Sequence, residues 1–126
     1  MQAALSDGRE RPEVEYVNAH GTGTQLNDSA ETRAIMTTLG NDVPTSSTKS
    51  FFGHTLGASG ALEAVVTVLA LQHQLAPPTL RLTEAAADCV LDYVPLTPRP
   101  MRIDHALSNT FGFGGSNVSL LFRAAR

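Results

Sequence analysis

The chain has 126 residues, enough for one domain and not comfortably for two. Its composition, 42% apolar and 17% charged, is that of a soluble globular protein, and a net charge of -3 with a pI of about 5.7 lacks the basic surplus that nucleic-acid binding requires. The longest apolar run, within residues 61–71, is broken by Glu63 and Thr67 and is too short for a membrane span. The N-terminal MQAALSDGRERPE has neither the basic start nor the apolar core of a secretory signal, and one cysteine excludes an internal disulfide framework or a cysteine-based zinc site. A cytoplasmic location is the default expectation.

Residues 1–5 read as the last turn of a helix, stopped by Ser6-Asp7-Gly8. Five residues do not nucleate a helix alone, so the chain is expected to begin inside an element, as a fragment or one half of a split protein would. Residues 14–18 (VEYVN) form a short strand rich in β-formers. His20-Gly21-Thr22-Gly23-Thr24 follows directly, which places His20 on a loop just past the strand end. Asp28 is the expected N-cap of the next helix, with Glu31 three residues on as in a capping box. Ala30, Ala34, Ile35 and Leu39 give that helix an apolar stripe, and Gly40 ends it. Residues 43–47 read as a second short strand, and 48–55 as the loop carrying Lys49 and His54.

Residues 57–74 carry the strongest helical pattern. Ala58, Ala61, Leu62, Val65, Val66, Leu69 and Ala70 cover most of the circumference, which predicts a buried helix rather than an amphipathic one. Pro77-Pro78 ends it. Residues 79–104 read as irregular, with a short strand at 91–94. Residues 105–110 and 117–122 read as two strands joined by the glycine-rich loop FGFGGSN. The order β-α-β-α-β-β-β indicates an α/β layered protein. One small sheet can hardly cover the central helix on every side, so much of that helix is expected to pack against another chain or a missing half.

Two histidines beside small residues, an ammonium and glycine loops suit chemistry in which negative charge develops on a carbonyl oxygen. No plausible nucleophile accompanies them. Cys89 lies between Asp88 and Asp92, whose charges disfavour a thiolate, and has no glycine-rich turn or helix start beside it. The FGFGGSN loop has the wrong spacing for a dinucleotide fingerprint and leads into a strand. The four histidines show no local metal-ligand spacing, and His73 and His105 read as structural or surface residues. Lys49 taken alone is a solvated loop lysine. Glu63 is either a surface carboxylate or, among apolar neighbours, half of a buried pair. Thr22 and Thr24 either cap a turn or touch a ligand.

Six segments, taken in order, carry a resemblance: VNAHGTGT (17–24), the ND..E pattern (27–31), SSTKSFFGHTLGASGALEA (46–64), PPT (77–79), the C-x-LDYVP segment (89–95) and SNTFGFGGSNVSLLF (108–122). Together they resemble the C-terminal part of the elongating β-ketoacyl-acyl carrier protein synthases, the condensing enzymes of fatty acid and polyketide synthesis, over nearly the whole chain. The resemblance implies a thiolase-like fold, in which two similar α/β halves form a five-layered αβαβα sandwich. Residues 1–126 would be a single domain, the second half, with a mixed sheet and a buried central helix. The family's active-site cysteine belongs to the first half.

By that resemblance, a cysteine thiolate takes an acyl group from a thioester, a malonyl thioester loses carbon dioxide, and the resulting enolate attacks the acyl-enzyme. His20 and His54 would present Nε2–H to the malonyl thioester oxygen, as neutral imidazoles since burial disfavours the charged form. Lys49 would hold the loop and bias the electrostatics near His54, with Glu63 as its partner. Thr22 and Thr24 would bond the phosphopantetheine arm of acyl carrier protein. Phe113 would gate the acyl pocket and offer its backbone N–H to an oxyanion hole, on a loop that Gly112, Gly114 and Gly115 let move. Some family members hold a structural cation near the equivalents of Asn18, Glu63, Ser108 and Asn109. No resident cofactor is implied. The implied partners are a cysteine-bearing N-terminal half, acyl carrier protein and a second ketosynthase in a dimer, with no nucleic acid and no membrane. Two other readings stand beside the enzyme half: a non-catalytic chain-length-factor-like subunit that shapes a partner's acyl pocket, and an inactive folding fragment. The presence of His20, Lys49 and His54 together favours the enzyme half.

Overall fold

Two short β-rich segments and one longer hairpin build the sheet. The computed structural model describes residues 1–6 and 11–125. In it β1 (Tyr16–Asn18) runs parallel both to β2 (Thr45–Ser46) and to β5 (His105–Phe111), and β5 is antiparallel to β6 (Asn117–Arg123), giving the order β2-β1-β5-β6. The sheet is mixed, as the sequence led one to expect. Side chains alternate across it with period two. Val17 and Leu107 face one side, where they join Leu5, Val14, Ile35, Val43 and Leu91. Tyr16 and Ala106 face the other, with Ala70, Leu71, Ala76, Val94 and Ile103. Helix α2 (Gln25–Leu39) contributes Ile35 to the first core, and helix α4 (Ser59–His73) contributes Ala70 and Leu71 to the second. The three-residue and two-residue strands β1 and β2 are buried throughout, as strands covered on both faces must be.

Several local details differ from the sequence reading. The N-cap of α2 is Thr24, not Asp28: Thr24 has extended backbone and its Oγ1 accepts the Asn27 N–H at 3.3 Å. Asp28 lies inside the first turn, where its Oδ1 accepts the Gly23 N–H at 3.2 Å, and a carboxylate there suits the positive helix end. The 48–55 segment is not all loop, because Lys49–Phe52 forms a short helix, α3. A 3-10 turn, Leu56–Ala58, precedes α4. No strand forms at 91–94. That segment's groups bond elsewhere: Asp92 O accepts from the Thr45 N–H at 2.8 Å, and the Asp92 carboxylate holds the Val94 N–H and Arg99. The small second sheet pairs β3 (Leu75–Ala76) with β4 (Arg99–Pro100), which the sequence reading missed. At the N-terminus, Gln2–Leu5 is a short helix, α1, and the expected stop at Asp7 and Gly8 lies outside the described residues.

Within this chain α4 buries one face only. Ser59, Glu63, Thr67, Ala70 and Leu71 are buried, while Leu62, Val65, Val68 and Leu69 are exposed, Val65 by 58%. Val118 and Leu120 of β6 are exposed as well. The stretch Leu56–His73, 18 residues with mean hydropathy 1.2, is by length and composition alone apolar enough to cross a membrane, contrary to the reading from run length. Its buried face carries Glu63 and Thr67, both hydrogen-bonded within the chain.

The two environments predict different sensitivities. Leu107→Ala, at a fully buried position in the central strand, should cost about 2–5 kcal/mol in urea unfolding, whereas Val65→Ala on the exposed helix face should cost under about 1 kcal/mol.

Candidate active site

The C-terminal ends of the parallel strands β1 and β2, and of β5 beside them, lie together, and the chemistry-bearing residues sit on the turns that leave them. His20 follows β1, Lys49 opens α3 after β2, and Phe111 closes β5. His54 lies just past α3. The rings of His20 and His54 meet edge to face, centroids 5.6 Å apart and planes at 86°. Phe111 packs on His20 at 5.3 Å.

Lys49 ties the group together. Its Nζ donates to the His20 carbonyl at 2.6 Å, stands 3.3 Å from His20 Nδ1, and forms a buried ion pair with Glu63 Oε1. An ammonium has protons and no lone pair, so His20 Nδ1 is the acceptor and the neutral ring carries its proton on Nε2. Burial first, then Lys49, then His54 pull the His20 pKa down to about 4. Glu63 also accepts from the Thr110 hydroxyl at 3.3 Å; burial pushes its carboxyl up against the pull of Lys49. His54 is held through Nδ1 too, which accepts the Leu56 N–H at 3.1 Å and lies 3.2 Å from Ser59 Oγ. Its proton in the neutral form is therefore also on Nε2.

Glu31 is the residue whose role in this arrangement the sequence did not disclose beyond a capping box. It is buried, and its two oxygens accept the N–H groups of His20 and Gly21, each at 2.9 Å, together with the side chains of Asn109 at 3.1 Å and Asn27 at 3.4 Å. Burial raises its pKa, and the four hydrogen bonds oppose that rise. Gly21 turns the chain with φ of +40°, and a Cβ there would lie 2.5 Å from Ser47 Cβ. Asn18, fully buried, donates to the Glu63 carbonyl at 3.1 Å and accepts from the Thr48 hydroxyl at 3.1 Å. It thus links the residue preceding Lys49 to the turn of α4 that carries Glu63.

The remaining candidates are distributed differently. Thr22 and Thr24 share a hydrogen bond at 3.0 Å, with Thr24 also capping α2. A groove of about 770 Å³ runs past Thr22, Lys49 and His54 toward Thr32, Cys89 and Tyr93. Phe113 stands 96% exposed on the turn between β5 and β6, and the aromatic ring against His20 is Phe111. Asn18 Oδ1 and Asn109 Oδ1 already accept hydrogen bonds, from Thr48 and Ser119, and Glu63 is neutralised by Lys49. Among the described residues no group of three or more His, Cys, Asp or Glu could hold a metal ion.

The profile of the family described as "Beta-ketoacyl synthase, C-terminal domain" matches residues 1–83. The 3-oxoacyl-[acyl-carrier-protein] synthase 2 of Synechocystis sp. is 52% identical over 95% of this chain, and the chain spans 30% of that relative's length. The structure called the ishigamide ketosynthase/chain length factor superposes with a TM-score of 0.93 at 36% identity, over 99% of this chain and 32% of that one. A type II PKS acyl-carrier protein in complex with its ketosynthase bound to the hexaketide gives a TM-score of 0.87 at 36% identity, over 90% and 29%. The chain thus has the α/β, thiolase-like architecture of ketosynthase C-terminal regions.

Two outcomes are expected. Glu31→Gln sets an amide NH₂ against a backbone N–H of His20 or Gly21, and should cost about 1–3 kcal/mol in thermal or urea unfolding. An NMR titration should find the His20 ring neutral until close to pH 4. A base whose folded pKa is depressed takes up its proton first in the unfolded chain. Its contribution to stability is therefore complete above about pH 6.5 and lost as pH falls toward 4.

Proposed function

The chain belongs to the beta-ketoacyl synthase C-terminal domain family, and from that premise we propose that it supplies the imidazole and ammonium side of a decarboxylative condensing centre. The nucleophile is a cysteine in an N-terminal half that this sequence does not contain, and residues 1–126 form the single domain complementary to it. The thiolate attacks an acyl thioester and displaces the carrier thiol. The malonyl thioester then breaks its C–C bond to release carbon dioxide, and the electron pair stays on as an enolate. The enolate carbon attacks the acyl-enzyme carbonyl, and the cysteine sulfur leaves with the electron pair of the broken C–S bond.

The observation that carries this reading is the pairing of His20 and His54 with each Nδ1 engaged as an acceptor, so that both neutral rings keep a proton on Nε2. Two such donors suit an enolate oxygen, where charge grows during decarboxylation. Lys49 fixes His20 through both its carbonyl and its ring, and Glu63 balances the ammonium. Thr22, at the groove beside Lys49 and His54, and Thr24 next to it would receive the phosphopantetheine arm. Phe113, on its exposed turn, is proposed to close over the acyl group once the other half is in place, with its N–H in the oxyanion hole. The partners are acyl carrier protein and a second ketosynthase subunit, the substrates arrive on phosphopantetheine without a resident cofactor, and the setting is cytoplasmic.

The similarity to a ketosynthase/chain length factor structure favours one other reading, a non-catalytic subunit that shapes a partner's acyl pocket. The experiment separates the two. The chain alone should show no condensation of acyl and malonyl thioesters. Combined with a cysteine-bearing N-terminal half it should condense them, and His54→Ala should lower turnover roughly 100- to 1000-fold, the usual cost of one oxyanion donor. Near-normal turnover in the His54→Ala complex would point to the pocket-shaping subunit.

A further inference from the structure

His54 presents a problem of orientation. It is exposed, and it sits on a connection between a four-residue helix and a 3-10 turn, so its own segment is a weak platform for a ring that must aim one N–H. Glycine flanks α3 on the side toward His54. One contact to its ring nitrogen comes from a longer element: Ser59, in the first turn of the fifteen-residue α4, is 3% exposed and places its Oγ 3.2 Å from His54 Nδ1. The other contact, the Leu56 N–H, comes from the connection itself.

We propose that Ser59 is a positioning residue for His54, holding Nδ1 as an acceptor so that the imidazole is fixed in the Nε2–H form and anchored to α4. The hydrogen-bond inventory allows this arrangement. A serine hydroxyl has one proton and two lone pairs. Ser59 Oγ accepts the Thr55 N–H at 3.1 Å, and Thr55 Oγ1 stands 3.1 Å away on the second lone pair. With the Thr55 hydroxyl donating, the Ser59 proton goes to His54 Nδ1. Two donors then converge on that nitrogen, which a ring protonated at Nδ1 would have to confront with a third. In that arrangement the bonds run in one direction, from Thr55 to Ser59 to His54, and each hydroxyl strengthens the next. The same helix carries Glu63 one turn further on, so α4 fixes both His54, through Ser59, and Lys49, through Glu63.

The inference rests on the proposed function for its consequence in turnover and on geometry alone for its tautomer. Both are measured. In the ¹⁵N-labelled chain, His54 should be in the Nε2–H form, and Ser59→Ala should shift the ratio of Nε2–H to Nδ1–H about fivefold, the factor one neutral hydrogen bond is worth. In the complex with the cysteine-bearing half, Ser59→Ala should lower kcat about fivefold while KM for malonyl-acyl carrier protein stays close to the parent value. His20 resonances serve as the internal reference and should not move. An unchanged His54 tautomer ratio in a folded Ser59→Ala chain overturns the inference, whatever the turnover. A shifted ratio in an assembly that never condenses leaves the role of Ser59 standing and sinks the proposed function.

Discussion

A buried ammonium is costly unless its protons all find acceptors, and the placement of Lys49 shows what that demand does to a fold. Its side chain is 7% exposed. It satisfies itself with the His20 carbonyl, the His20 ring and the Glu63 carboxylate, which come from the turn after β1 and from the middle of the buried face of α4. Removing one partner would strand the other, and this is why such pairs are strongly sensitive to single truncations even where the intact pair adds little net stability. The ion pair thereby sets the distance between the sheet's C-terminal end and α4. It also decides which nitrogen of His20 holds the proton.

Around that pair the interior is polar where a core is usually apolar. Asn18, Thr48, Thr67, Glu31 and Asn109 are all buried, and each is hydrogen-bonded. Among the described residues no buried side-chain nitrogen or oxygen lacks a partner. A satisfied network of this kind admits few alternative packings, because any shift leaves a donor or acceptor unpaired in low dielectric. The two apolar clusters lie below it, on opposite faces of the sheet, and supply the burial. Rigidity at the strand ends and stability in the layers are thus contributed by different residues.

The apolar surface on α4 and β6 belongs to the same logic. Leu62, Val65, Leu69, Val118 and Leu120 are exposed on helix and strand. The face of α4 turned away from it carries Ser59, 3.2 Å from His54 Nδ1, and Glu63, which pairs with Lys49.

Much of this was readable from local chemistry. The β-rich residues at 14–18, the small-residue turn after them, the long apolar pattern at 57–74 and the two strand-like segments around FGFGGSN indicate the α/β class, because period and turn residues act over a few positions, while the mixed sheet was implied by the family resemblance. The placement of His20 just past a strand end followed from the same signals, whereas Lys49 opens a short helix that they did not show. What the sequence could not determine are contacts made between residues far apart in the chain. Thr24 rather than Asp28 caps α2, since Asp28 is drawn to the Gly23 N–H. Phe111 meets His20, since strand pairing brings it to the ring, while the turn that follows leaves Phe113 in solvent. Glu31 holds the His20 and Gly21 amides rather than closing a capping box, and the Asp92 carboxylate binds Arg99. Local periodicity decided which elements form; only the packed structure decided which buried polar group each would satisfy, because that choice is made by the desolvation cost of leaving any one of them alone.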